Sequence, residues 1–91
     1  MRIRLFASVR QAAGVAEIAY SPAPDARVRD AVQLLVARYP ALAGKLADEA
    51  GNLRDAVSIF VDGRNVRLRQ GLDTTLAGAD EIAVFPPIAG G

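Results

Sequence analysis

The chain ends in Gly90-Gly91, and the α-carboxylate of Gly91 is the group with the clearest chemical use. A free α-carboxylate has a pKa near ~3.5, so at neutral pH it is an anion and a poor electrophile. Coupling it to AMP would supply a leaving group, and a sulfur nucleophile could then replace AMP to give a thiocarboxylate. Glycines carry no Cβ that would block a narrow enzyme channel, and they accept any φ. The ending therefore predicts a carboxylate that a partner enzyme activates.

The residues before this ending predict a tail. Pro86 and Pro87 cannot continue sheet hydrogen bonding, so we expect residues 86–91 to form a flexible, extended C-terminal tail. Its last five residues could reach about 16 Å from the body. The competing interpretation is a frayed end without function. Apolar Ile88, followed by Ala89, and the double proline argue against it, because a passive solvated tail needs neither feature.

The residue types that are missing exclude several kinds of site. The 91 residues include no Cys and no His, which excludes disulfides, a persulfide-carrying thiol, thiolate or imidazole metal ligands and Ser-His or Cys-His nucleophile pairs. A net charge of +1 gives no general attraction to nucleic acid or membranes. We expect one soluble, cytoplasmic domain over residues 1–91 with no metal site. Lys45 is the only lysine, and hence the only side-chain amine.

The elements that must position the tail follow from the apolar pattern. Alternation over residues 2–9 predicts a first strand, and Gly14 marks the turn to a second strand at 16–21. Apolar residues at helical spacing predict a main helix over 27–39, with Asp25 as its N-cap, and a weaker helix over 41–50. Three further strands are predicted at 57–61, 65–68 and 81–85, the first two joined by an Asp62-Gly63 turn. This order indicates an α+β fold, a mixed sheet of about five strands with the main helix on one face. The first and last strands could lie side by side at the centre of that sheet.

The three phenylalanines of the chain, Phe6, Phe60 and Phe85, share one property. Each falls on the strand phase opposite to the predicted core, so all three would face outward. Three exposed aromatic rings are unusual for a monomer and favour a partner-docking surface. Two alternatives remain: a shifted register that returns one or two rings to the core, or a homodimer face.

The sequence resembles a known family, the small subunit of molybdopterin synthase and related MoaD/ThiS-type ubiquitin-like sulfur carriers. The similarity covers nearly the whole chain and is carried by residues 3–10, 61–67, 71–74 and 80–91. The ending Phe-Pro-Pro-x-x-Gly-Gly over residues 85–91 is its most specific part.

The resemblance implies a β-grasp fold and a mechanism. An adenylyltransferase related to ubiquitin-activating enzymes would use ATP to adenylate Gly91, and a sulfur donor such as a cysteine desulfurase or rhodanese would convert it to a thiocarboxylate. The tail would then enter the large subunit of molybdopterin synthase and give sulfur to precursor Z. Catalytic side chains belong to that large subunit, and the carrier binds no cofactor itself. Phe6, Phe60 and Phe85 would contact these partners.

Three other functions stay open. The chain could carry sulfur for another pathway, such as cysteine or thiamine biosynthesis. It could be a ubiquitin-like modifier that joins Gly91 to target lysines. It could also be an interaction module with an inert tail, which would leave the tail and the aromatic residues unexplained.

Overall fold

The computed structural model describes residues 1–86; residues 87–91 lie outside the described part of the chain. The strands within residues 1–86 are β1 (Arg2–Leu5), β2 (Glu17–Ala19), β3 (Ser58–Val61), β4 (Arg64–Asn65) and β5 (Glu81–Phe85). Its two α-helices are α1 (Ala7–Ala13) and α2 (Val28–Arg38). Short 3-10 turns occur at Pro40–Leu42, Val66–Leu68 and Gly71–Asp73.

The strands form one mixed sheet in the order β2-β1-β5-β3-β4. The first and last strands lie side by side at its centre and run parallel, with Ile3 opposite Ile82 and Leu5 opposite Val84. The other neighbours are antiparallel. This arrangement confirms the predicted α+β, β-grasp fold and the central pairing of the first and last strands.

The core lies between one face of the sheet and α2. In α2 the buried residues recur at helical spacing: Val28, Ala31, Val32 and Leu35. They pack in one cluster with the inward side chains of the strands, among them Ile3, Leu5, Ile59, Ile82 and Val84. Burying each large apolar side chain contributes roughly 1.5–3 kcal/mol, which makes this cluster the main source of stability.

Helix α1 occupies part of the predicted first strand. The predicted strand over residues 2–9 ends at Leu5, and the chain continues as a helix from Ala7 to Ala13. Five of these residues are Ala, Arg or Gln, which are good helix formers, and Val9 buries one face of the helix in the core. Gly14 is therefore the C-cap of a helix, where its N–H donates to the carbonyl of Arg10.

The helical region after residue 25 also differs in detail. The main helix begins at Val28, two residues later than an Asp25 cap would place it. Its N-terminus is capped instead by Asp30, whose carboxylate accepts the backbone N–H of Arg27 at 2.8 Å. The weaker helix predicted over 41–50 is wrong. Only Pro40–Leu42 is helical, and the backbone at Gly44 has a φ of 77°, through which a right-handed helix cannot continue.

The Asp62-Gly63 turn is confirmed. Both residues have positive φ, 49° and 81°, as a tight hairpin between right-twisted strands requires. The return strand is shorter than the predicted 65–68, because β4 ends at Asn65 and the chain turns into a 3-10 segment. The Asn65 side chain drives this change by accepting the N–H of Arg67 at 2.9 Å. Neither helix among residues 1–86 is long and apolar enough to cross a lipid bilayer.

Candidate functional site

The sheet face opposite α2 carries the predicted aromatic residues. Residues paired directly across antiparallel strands share a face, so the register of β3 with β5 decides their orientation. Phe60 pairs with Ala83 and Ser58 pairs with Phe85, while the neighbouring pairs Ile59–Val84 and Val61–Ile82 belong to the core side. Phe60 and Phe85 therefore lie on the outer face, as their position in the strands predicts.

The three rings form one cluster, which we call the aromatic cluster (Phe6, Phe60 and Phe85). The rings of Phe6 and Phe85 stack with centroids 4.3 Å apart and an interplanar angle of 10°. Phe60 meets Phe85 edge to face, with centroids 5.6 Å apart and an angle of 85°. Each of the three residues stays partly exposed. Phe85 is thus the central ring, and the cluster presents apolar surface to solvent.

Phe6 reaches the cluster from a position that the sequence did not reveal. It lies at the junction of β1 and α1, and its N–H donates to the carbonyl of Val84 at 3.2 Å. Its own carbonyl accepts the N–H groups of Val9 and Arg10 at 3.2 and 3.3 Å, which begins the helix. The prediction placed Phe6 on the correct face but in the wrong element. The next residue, Ala7, has a left-handed backbone with a φ of 50°.

An open groove of about 1240 Å³ surrounds the aromatic cluster. Ala83 forms part of it and is only 8% exposed, because the rings and the neighbouring strands cover it. The groove is bordered by α1, by the segment that leads into β3 and by the turn that follows β3. Its lining residues are Arg4, Phe6, Ala7, Ser8, Gln11, Ala56, Ser58, Phe60, Gly63, Glu81, Ala83, Phe85 and Pro86. We call this feature the aromatic groove.

Charged side chains on the outer face of β1 and β5 lie beside the aromatic groove. The Arg4 guanidinium lies 5.1 Å from the centroid of the Phe6 ring and 3.4 Å from the Glu81 carboxylate. Arg2 pairs with Glu81 at 3.3 Å and with Glu17 at 3.4 Å. Exposed pairs of this kind add little stability, but they hold cations and carboxylates at defined places beside the rings. These residues were not predicted as site residues, although the alternation in β1 already places Arg2 and Arg4 on the outer face.

The tail begins at the aromatic groove. Phe85 is the last residue of β5, and Pro86, the first residue of the predicted tail, lines the groove. The remaining tail residues, Pro87, Ile88, Ala89, Gly90 and Gly91, lie outside the described residues. A partner seated on the aromatic groove would therefore lie beside the point where the tail leaves the body.

The acidic and buried polar side chains of the body are further places where a reactive site could lie. Within residues 1–86 no cluster of acidic side chains is arranged to hold a metal ion, and every buried polar side-chain atom has a hydrogen-bond partner. The aromatic groove is therefore the feature of residues 1–86 that bears on the predicted partner-docking surface.

The sequence pattern of the ThiS family matches residues 3–91. The chain belongs to the ThiS family. It is a ubiquitin-like protein of the sulfur-carrier and modifier type, and its β-grasp fold is the fold of its relatives.

Three similar proteins match nearly the whole chain. Small archaeal modifier protein 3 from Haloferax volcanii is 36% identical over 91 residues, which is 100% of this chain and 98% of that protein. The crystal structure of small archaeal modifier protein 1 from the same organism superposes with a TM-score of 0.86 at 32% identity, covering 99% of this chain and 97% of that one. A structure described as putative molybdopterin converting factor, subunit 1, from Pyrococcus furiosus gives 0.72 at 33% identity, covering 96% and 95%.

Proposed function

We propose that the chain is a sulfur carrier that serves as the small subunit of molybdopterin synthase. The observation that carries this proposal is the position of the aromatic groove at the origin of the tail. A partner that covers the aromatic cluster lies next to Pro86, and five residues separate Pro86 from the terminal carboxylate. Covalent geometry limits their reach to about 16–18 Å, enough to enter an active site in the docked partner.

The chemistry at Gly91 requires partners because the chain has no Cys and no His. An adenylyltransferase transfers AMP from ATP to the carboxylate and releases pyrophosphate. A sulfur nucleophile then attacks the acyl carbon, AMP leaves, and the terminus becomes a thiocarboxylate. In the large subunit of molybdopterin synthase, this sulfur passes to precursor Z and the carboxylate is regenerated with an oxygen from water.

Two features support the molybdopterin pathway over other sulfur-transfer pathways. The segment Phe85-Pro86-Pro87 before the Gly-Gly ending is the part of the sequence that most resembles molybdopterin synthase small subunits. The Pyrococcus furiosus structure, which is described as a converting-factor subunit, matches over nearly the full length of both chains. Carriers for cysteine or thiamine biosynthesis share the chemistry at Gly91 and differ in the final acceptor.

The experiment combines the thiocarboxylated protein with a purified molybdopterin synthase large subunit and precursor Z, and measures molybdopterin. The proposal predicts product from the loaded protein and none from a variant that lacks Gly91. The variant Phe60→Ala should remain folded, accept sulfur more slowly and give less product because the docking surface is reduced. Efficient sulfur loading without binding to the large subunit would exclude the molybdopterin role and leave a carrier for another pathway.

A second candidate function is protein modification, which the full-length similarity to small archaeal modifier proteins 1 and 3 favours. In this case a lysine amine of a target protein attacks the adenylated Gly91, AMP leaves, and an isopeptide bond forms. Affinity-tagged chain expressed in its native cells should then give slow-migrating conjugates. Their loss on deletion of Gly90-Gly91 supports modification, whereas their absence in cells that contain the loaded thiocarboxylate contradicts it.

A further inference from the structure

A second concavity lies at the end of β5 opposite to Pro86. It has a volume of about 310 Å³ and is formed by the hairpin after β3 and the loop that precedes β5. Its lining residues are Val61, Asp62, Arg64, Arg69, Thr74, Thr75, Ala77, Gly78 and Ala79. None of these residues lines the aromatic groove, so the two concavities are separate. We call this feature the arginine pocket.

The two arginines of the pocket differ from most others in the chain. Arg64 and Arg69 are exposed, and neither guanidinium makes a hydrogen bond or ion pair with any residue in the range 1–86. By contrast, the guanidinium of Arg67, in the same segment, donates to the backbone carbonyls of Arg54 and Val57. Arg67 therefore has a structural role, whereas the two arginines that line the concavity keep their guanidinium groups available for a ligand.

Asp62, the acidic side chain among the described residues that line the pocket, is already engaged. Oδ1 of Asp62 accepts the backbone N–H groups of Asp80 and Glu81, both at 3.0 Å. These amides partly compensate the charge of the Asp62 carboxylate. The lining therefore carries two arginines and one carboxylate that already accepts hydrogen bonds. Thr75 also lines the pocket, and its Oγ1 accepts the N–H of Ala77 at 3.2 Å, a bond that does not use the hydroxyl hydrogen.

We propose that the arginine pocket binds an oxyanion, the phosphate or carboxylate group of a small ligand. Guanidinium groups present planar, paired donors that match the oxygens of both anions. Arg64 and Arg69 supply these donors and the Thr75 hydroxyl supplies a third contact. Because the pocket is separate from the aromatic groove, an oxyanion binds here while a partner occupies the groove. The site thus adds a binding function that does not depend on chemistry at Gly91.

The test is an NMR titration of the full chain with inorganic phosphate and, separately, with acetate, at a chloride-balanced constant ionic strength. We expect saturable shifts of the backbone amides of residues 64, 69 and 75–79, with the amides of the aromatic groove unchanged. Saturation by phosphate alone identifies a phosphate ligand, and saturation by acetate identifies a carboxylate ligand.

Three variants separate a site from general charge attraction. Arg64→Gln and Arg69→Gln should each weaken binding by about fivefold, which corresponds to roughly 1 kcal/mol for one exposed charged contact. Arg10→Gln is the matched control, because it removes an exposed arginine on α1 that also has no hydrogen-bond or ion-pair partner among the described residues. Shifts that rise linearly with both anions, or an equal weakening in the Arg10→Gln variant, would overturn the proposal.

Discussion

Replacing Phe85 by alanine should destabilise the protein more than replacing Phe60, because Phe85 is the central ring of the aromatic cluster. Phe85 takes part in both ring contacts, the stack with Phe6 at 4.3 Å and the edge-to-face contact with Phe60 at 5.6 Å. An aromatic pair contributes about 0.5–1.5 kcal/mol beyond the area that it buries. Two pairs therefore account for about 1–3 kcal/mol, and the half-buried ring adds about 1 kcal/mol. We expect Phe85→Ala to cost about 2–4 kcal/mol and Phe60→Ala, which loses one pair, about 1.5–2.5 kcal/mol.

Urea unfolding followed by circular dichroism measures these differences, with the slope m expected to stay constant across the variants. A double-mutant cycle between Phe6 and Phe85 should give a coupling of about 0.5–1.5 kcal/mol. Leu68→Ala is the matched control for removing an exposed apolar side chain, because Leu68 is 86% exposed and does not line the aromatic groove. It should change stability by less than about 0.5 kcal/mol. If Phe60→Ala cost as much as Phe85→Ala, or if the coupling were zero, the described packing of the rings would be wrong.

Three other substitutions or titrations test local features. Asp62→Ala should lower the free energy of unfolding by about 1–3 kcal/mol in urea, because it removes the carboxylate that accepts two backbone N–H groups at the start of β5. Asp62→Asn keeps an acceptor oxygen and should cost less. Equal costs of the two substitutions would contradict this role of Asp62. Ala7 has a φ of 50°, a left-handed backbone that is strained for any residue with a Cβ. Ala7→Gly should therefore raise the midpoint of thermal unfolding, and Ala7→Val should lower it. Equal midpoints for the two variants would refute this backbone strain. The pKa of Tyr20 is raised above its ordinary value by burial and then by the charge of Asp30, so its ultraviolet titration should have a midpoint above that of free tyrosine. Because the pKa of Tyr20 is higher in the folded state than in the unfolded state, Tyr20 stabilises the fold at pH below the ordinary tyrosine pKa. This contribution is lost as pH rises through the folded-state pKa. A titration midpoint at or below the ordinary tyrosine pKa would contradict the raised pKa.

The sequence predicted the sheet well where apolar alternation is regular. The bounds 81–85 for the last strand are those of β5, and the outward orientation of Phe60 and Phe85 follows from a period of two. The central pairing of the first and last strands also agrees with the structure. These features depend on local pattern and on one buried face, which fix the register strongly.

The sequence predicted the segments after residue 5 and after residue 40 poorly. The alternation of residues 2–9 fits a strand, yet Phe6 already belongs to the helix start, because Val9 gains burial when the chain turns there. In residues 41–50 the apolar spacing fits a helix, but Leu42 and Leu46 are buried through a turn at Gly44. In both places tertiary burial outweighs the local pattern. That Arg64 and Arg69 have no hydrogen-bond or ion-pair partner for their guanidinium groups among residues 1–86 likewise depends on contacts that a sequence does not display.

The central claim, that Gly91 is the group through which the chain acts, is tested most directly by intact mass spectrometry. The protein is incubated with a cognate adenylyltransferase, ATP and a sulfur donor, beside a variant that lacks Gly91. The account predicts a mass gain equal to the difference between one sulfur and one oxygen atom in the full chain and no gain in the variant. No gain in the full chain, with an activating enzyme that loads its own carrier in the same assay, would contradict the sulfur-carrier function.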